Sequence, residues 1–269
     1  MNYHSDEWIM DRVREHYNEA LKYFPEDRIV GIFYQGSGNY GLDVENSDVN
    51  TKLIVTPTFA DIAMNNKPVS TTHIRDNDEH IDFKDIRLYI QTFRKQNLNF
   101  LEILFTPYKI VNPLYEEQWN RLVEANEAIT HYNPFRAIKS MKGIAMEKYH
   151  AMEHEYPSKV EVLAKYGYDP KQLHHLLRVE EYIERYVSGE SYKDCLIPKQ
   201  SEYLKEVKLG CHTLDEAREL GKKSIDHINE MHNEFVAKIS DEADPEVDKL
   251  LDDVQLNIMR IAIEKDFNK

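Results

Sequence analysis

The chain has 269 residues, with 34 lysines and arginines against 48 aspartates and glutamates, for a formal net charge of −14. That balance excludes the broad basic face that displaces counterions from duplex DNA and leaves room only for a local cationic groove. No apolar run approaches the ~18 residues of a membrane span, the first residues lack an apolar leader core, and the two cysteines, Cys195 and Cys211, form no CxxC pair, so the expectation is a soluble, reduced, cytoplasmic protein with no membrane partner.

Residues 5–22 carry Trp8, Ile9, Val13, Tyr17 and Leu21 at helical spacing. The β-branched and aromatic run Ile29–Tyr34 predicts a buried strand ending in a glycine turn. Lys52–Val55, stopped by Pro57, predicts a second strand, and the alternation of His80-Ile81-Asp82-Phe83 a third, half-buried one. Asp85 is an N-cap candidate for a helix with Ile86, Ile90 and Phe93 on one face. Asn99–Phe105 reads as helical and Tyr108–Val111 as a fourth strand. Beyond Pro134 strand signals vanish, and helices are expected near 135–155, 170–188, 213–238 and 244–266. The stretch holding Gly189, Pro198 and Gly210 reads as a loop-rich connection. The fold class is therefore α+β: a small mixed β-sheet domain with flanking helices over residues 1–133, then an all-helical domain over 134–269.

Chemistry concentrates in "YQGSGNYGLDVENSDVNTKLIVTP", residues 34–57. Alternate strand residues point the same way, so Asp48 and Asn50 share a face while Val49 turns into the core. If the strand carrying Asp82 lies alongside, three oxygen-bearing side chains converge, the ligand type that hard divalent cations take. The Gly36-Ser37 turn offers backbone N–H groups and a hydroxyl to a phosphate. The bland alternative for Ser47-Asp48-Val49-Asn50 is a polar turn entering a strand.

Taken together, Gly36-Ser37-Gly38-Asn39-Tyr40-Gly41-Leu42, Ser47-Asp48-Val49-Asn50 and "IDFKDIRLYIQTFRKQNLNFLEILFTP" resemble the DNA polymerase beta-type nucleotidyltransferase superfamily. The likeness is to a branch of predicted bacterial and phage nucleotidyltransferases. It extends through "YDPKQLHHLLRVEEYIERYVSGE" and "LKEVKLG", spanning most of residues 30–215.

The resemblance implies a polymerase beta-like palm domain followed by a helical domain that clamps nucleotide or substrate. It implies two-metal transfer of a nucleoside monophosphate from a nucleoside triphosphate (NTP) to a hydroxyl-type acceptor: an RNA end, a small molecule or a protein. Mg²⁺ or Mn²⁺ would be held by Asp48, Asn50 and Asp82, which match the three catalytic carboxylates, and Gly36, Ser37, Tyr40 and Ser47 match the nucleotide-binding turn. Asparagine at position 50 departs from the family pattern, because its neutral oxygen leaves two dications poorly neutralised. Catalysis is then lost with binding kept, as in a nucleotide-sensing module, or the site works with weaker metal affinity. A third possibility is an Asp→Asn change introduced to trap a substrate complex.

In the helical half, Lys171, His174 and Arg178 form a cationic stripe at i, i+3 and i+7, separate from the apolar stripe of Leu176, Val179, Ile183 and Tyr186. Such a stripe suits a triphosphate, with Lys208 a further positive candidate and Arg136, Lys139 and Lys142 a similar row. A solvated face is the alternative. His150-Ala-Met-Glu153-His154 matches a zinc-peptidase pattern, but spacing singles out no third ligand.

Overall fold

The structure, a computed structural model, describes residues 3–267. The chain divides into two compact units: Met1–Asn39, Asp43–Asn133 and Ala243–Lys269 form the first, Tyr40–Leu42 and Pro134–Glu242 the second. Among the described residues no helix is long and apolar enough to cross a membrane.

The first unit is built on a five-stranded mixed sheet of order β3-β4-β2-β1-β5. Its strands are β1 (Ile29–Gln35), β2 (Asn50–Val55), β3 (Ser70–Ile74), β4 (His80–Asp85) and β5 (Lys109–Val111). β2 and β4 run parallel, and the other neighbours are antiparallel. Helix α1 (Asp6–Ala20), capped by Ser5, lays Ile9, Val13 and Ala20 on one face of the sheet. There they meet Ile32, Tyr34, Val49, Leu53, Val55, Ile81 and Phe83, the inward residues that period-2 alternation selects. β3 has no counterpart in the sequence expectations. Its residues, Ser-Thr-Thr-His-Ile, are almost all exposed at the sheet edge, so no apolar alternation announces it.

A short capped helix α2 (Phe59–Ala63) follows β2, and α3 (Ile86–Arg94) follows β4. Asp85 caps α3 by accepting from Arg87 N, and Ile86, Ile90 and Phe93 are buried together with Tyr89. α4 (Leu98–Leu101) continues into a 3-10 turn over Glu102–Leu104, and α5 (Glu116–Glu124) and α6 (Asn126–Thr130) close this part of the chain.

The second unit comprises α7 (Pro134–Ala151), α8 (Val160–Tyr166), α9 (Pro170–Val187), α10 (Tyr192–Leu196), α11 (Ser201–Lys208) and α12 (Leu214–Val236). α9 packs against α7, α10, α11 and α12, which explains a buried set wider than one stripe. The expected loop over 189–210 instead holds α10 and α11. Gly189 and Gly210, at φ 89° and 83°, terminate helices in the left-handed conformation rather than marking coil.

The last helix, α13 (Pro245–Phe267), departs from the expected boundary at 134. It counts with the first unit, where it packs against α3 and α5 through the stripe Val247, Leu251, Val254, Ile258 and Ala262. Arg94 fixes it from α3, donating to Asp248 at 2.7 Å and Asp252 at 2.6 Å.

Candidate functional site

β1 delivers the chain into a 3-10 turn over Ser37–Tyr40. The phenol of Tyr34 lies beneath this turn and accepts the Gly38 N–H at 3.0 Å. Burial pushes the Tyr34 pKa up, so the phenol stays neutral. A Cβ at position 36 would come within 2.7 Å of the Tyr34 ring, so only glycine lets the backbone pass. Asn39 ties the turn to its surroundings: its Nδ2 donates to Tyr34 O at 3.1 Å, and its Oδ1 accepts from Thr106 at 2.7 Å. The Ser37 hydroxyl donates to Ser47 Oγ at 3.3 Å, and Ser47 Oγ accepts the Val44 N–H at 2.9 Å. The glycine-serine turn and the segment carrying Asp48 are thus joined directly.

Asp48 sits two residues before β2, and Asn50 is its first residue. Val49 is buried between them, as alternation requires. Asn50 Nδ2 donates to Asp48 Oδ2 at 3.1 Å, while Asn50 Oδ1 accepts the His80 N–H at 2.9 Å. β2 and β4 are neighbours, with Lys52 opposite Asp82. Lys52 lies two residues after Asn50, so Asn50, Lys52 and Asp82 share one face of the sheet.

Asp82 is held by two donors: Lys52 Nζ reaches Oδ2 at 2.5 Å, and Thr72 Oγ1, from the edge strand, reaches Oδ1 at 2.5 Å. Burial by itself would raise the Asp82 pKa, but the charge and hydrogen bonds of Lys52 and Thr72 outweigh it, and the carboxyl lies below its usual range. Lys84, two residues on, is shifted down by burial and then by Lys52, and both ammonium groups lie over the Phe100 ring, at 4.6 and 4.9 Å from its centroid. Among the described residues no group of three or more His, Cys, Asp or Glu side chains gathers at metal-binding spacing.

The donor set decides which ions fit. Mg²⁺ takes one or two carboxylates together with substrate phosphates. Asp48, whose Oδ2 accepts from Asn50, is one such carboxylate. The set does not fit a pair of ions, because Asn50 has both polar ends engaged and Asp82 already carries an ammonium.

Sequence reasoning missed the buried polar cluster behind this segment. Glu79, 5 % exposed, accepts from Val49 N at 3.2 Å, from His16 Nε2 at 2.9 Å, from Arg75 at 3.1 Å and from Arg12. His16 Nδ1 also meets Thr51 Oγ1 at 2.9 Å. Burial would raise the Glu79 pKa, but its hydrogen bonds from His16 and Arg12 hold it well below the carboxylate range. The signal in the sequence is faint: Arg12 and His16 stand at i and i+4 on a helix whose pattern is set by its apolar residues. An open cleft of about 430 Å³ borders this region, lined by Trp8, Arg12, Ser47, Asp48, Asn77 and Glu79 among others.

In the second unit, Arg178 stacks over the Tyr40 ring at 3.7 Å, and Lys208 Nζ donates to Leu42 O at 3.3 Å. Both cations therefore act on the tail of the glycine-rich segment. Lys171 is exposed in the first turn of α9, its N–H donating to the cap Asp169. His174 departs from the expected cationic stripe. It is 1 % exposed, its Nδ1 bonds the Leu204 carbonyl at 2.8 Å, and burial lowers its pKa to about 4, so it is a neutral core residue. Arg136 pairs with Asp241 at 2.8 Å. Glu153 of the zinc-like pattern is engaged by Arg218, and His154 packs against Tyr156.

No family model and no curated protein matches the chain. Among solved structures, the chain is similar to a nucleotidyltransferase-like protein from Exiguobacterium sibiricum 255-15, with 10 % identity, 94 % of this chain and 89 % of that one covered, and a TM-score of 0.33.

Proposed function

We propose that this chain is a nucleotidyltransferase-type protein that binds a nucleoside triphosphate through the Gly36-Ser37 turn and Asp48. The observation that supports this reading is the Ser37–Ser47 contact, which joins the glycine-serine turn to the residue before Asp48. In the reaction, an acceptor hydroxyl oxygen attacks the α-phosphorus, pyrophosphate leaves and the hydroxyl proton is released. The acceptor class is an RNA end, a small molecule or a protein side chain. When bound with the nucleotide, Mg²⁺ or Mn²⁺ would supply charge neutralisation of the phosphates. The Ser37 hydroxyl would orient the phosphates, on a turn whose Gly38 N–H is held by the Tyr34 phenol, and Asp48 would fix the ion-bearing end. Arg178 and Lys208 keep Tyr40 and Leu42, the end of the same segment, in place.

A second reading, nucleotide binding without transfer, is favoured by the amide of Asn50 standing where the family has a carboxylate. Isothermal titration with each NTP and Mg²⁺ tests binding, and α-labelled NTP with cell extract tests transfer. Saturable binding of one NTP, weakened in Ser37→Ala, is expected. Absence of binding by every NTP overturns both readings, and binding without any labelled product selects the second.

A further inference from the structure

Lys52 is a lysine in the interior of a central strand, flanked by Thr51 and Leu53 and only 6 % exposed. A buried ammonium is costly unless its charge is met. Here Asp82 meets it on one side and the Phe100 ring on the other. The register of the parallel pair puts Lys52 opposite Asp82, so this contact follows from strand pairing and not from a flexible side chain reaching out.

The same face carries Asn50, and its neutrality changes the electrostatic balance. Three carboxylates at positions 48, 50 and 82 would leave a strongly negative face that needs two dications. With asparagine at 50, an ammonium on Asp82 and Lys84 two residues further over the same Phe100 ring, the side chains at 48, 50, 52, 82 and 84 carry no net formal charge. The amide of Asn50 also supplies Asp48 with a hydrogen bond that a carboxylate could not donate. Each substitution of charge removes the need for one more external cation.

We propose that Lys52 is a resident cation: its ammonium occupies the cation position at Asp82, leaving the site to take no more than the single divalent ion held at Asp48. The proposal rests on the nucleotide reading for its significance, while its test uses the metal alone. Mn²⁺ is titrated into the full chain and its uptake followed by electron paramagnetic resonance. Wild type takes up at most one ion per chain. Lys52→Met unmasks Asp82 and gains roughly tenfold or more in Mn²⁺ affinity, the scale on which a neighbouring unit charge moves a carboxylate's affinity for a cation. Lys52→Met with Asp82→Asn loses the gain, and Lys52→Arg leaves the wild-type uptake unchanged.

Two Mn²⁺ ions bound by the wild type overturn the proposal, as does a folded Lys52→Met variant that binds like wild type. Should the methionine variant fail to fold, Lys52→Gln carries the same expectation, and should neither fold, the wild-type stoichiometry decides. An NTP that fails to bind counts against the nucleotide reading and leaves the Mn²⁺ result standing.

Discussion

The backbone N–H of Val49 donates to Glu79 Oε1 at 3.2 Å, and Val49 is the residue between Asp48 and Asn50. A buried carboxylate held by Arg12, Arg75 and His16 therefore anchors the backbone between these two residues. Positioning by such a network depends on its completeness, because losing one partner strands the others.

Glu79→Gln removes the charge that joins two arginines and a histidine. It should cost about 3 kcal/mol at neutral pH, the low end for breaking a buried ion pair because the arginines keep some solvent. Denaturant unfolding measures it. The folded Glu79 pKa is depressed, so the stability it contributes is present above the unfolded carboxylate value of about 4.3 and is lost as pH falls through the folded value. The gap between wild type and variant should thus stay level above about pH 5 and narrow in acid; a gap that widens in acid would contradict the network.

His174 provides a second, separate pH dependence. Its folded pKa is about 4, whereas an unfolded histidine titrates near 6.5, so the unfolded chain takes the proton first. Stability from this group is complete above about pH 6.5 and falls as pH drops towards 4, by up to about 3 kcal/mol. His174→Asn keeps an N–H for the Leu204 carbonyl and removes the titration. Its unfolding free energy should vary less than wild type's across that window, and parallel curves for the two proteins would refute a neutral, buried His174.

Asn50→Asp replaces the donor to Asp48 with a second carboxylate at the same 3.1 Å site. Without divalent ions the loss of that hydrogen bond should lower stability by about 0.5–1 kcal/mol. Mg²⁺ should recover the loss in the variant and stabilise it by more than it stabilises the wild type. Thermal unfolding with and without Mg²⁺ reads the difference, and equal Mg²⁺ responses would show that position 50 is remote from any ion.

Of the two tryptophans, Trp8 lines the cleft beside Asp48, whereas Trp119 is fully buried at 4.1 Å from Phe33. Nucleotide binding should therefore change the fluorescence of the wild type, and Trp8→Phe should lose that change while still binding in a calorimeter. A signal that persists in Trp8→Phe would place the nucleotide elsewhere.

The strands bearing Tyr34, Asn50 and Asp82 could be read from the sequence because each is half or fully buried and alternates or runs apolar. The α3 cap and its apolar face could be read for the same reason. β3 could not: an edge strand with both faces exposed carries no hydrophobic period, and so Thr72, which holds Asp82, was invisible with it. Lys52 was hidden differently. A lysine inside Thr-Lys-Leu-Ile-Val looks like the polar half of an alternating strand, and its burial depends on Asp82 thirty residues away. Charge spacing on α9 predicts a cationic stripe that includes His174, but the helix is surrounded by four others, so a polar stripe there does not imply solvent.

The return of Ala243–Lys269 to the first unit makes the helical unit an insertion in the chain. During synthesis α3 and α5 emerge more than a hundred residues before the helix that covers them, and Arg94 waits as long for Asp248 and Asp252. The inserted helices can fold on the ribosome while the sheet unit is still missing its last wall. Completion of the sheet unit is thereby tied to translation reaching α13, and a nascent chain stalled inside α12 would expose the apolar faces of α3 and α5 to chaperones or to other chains.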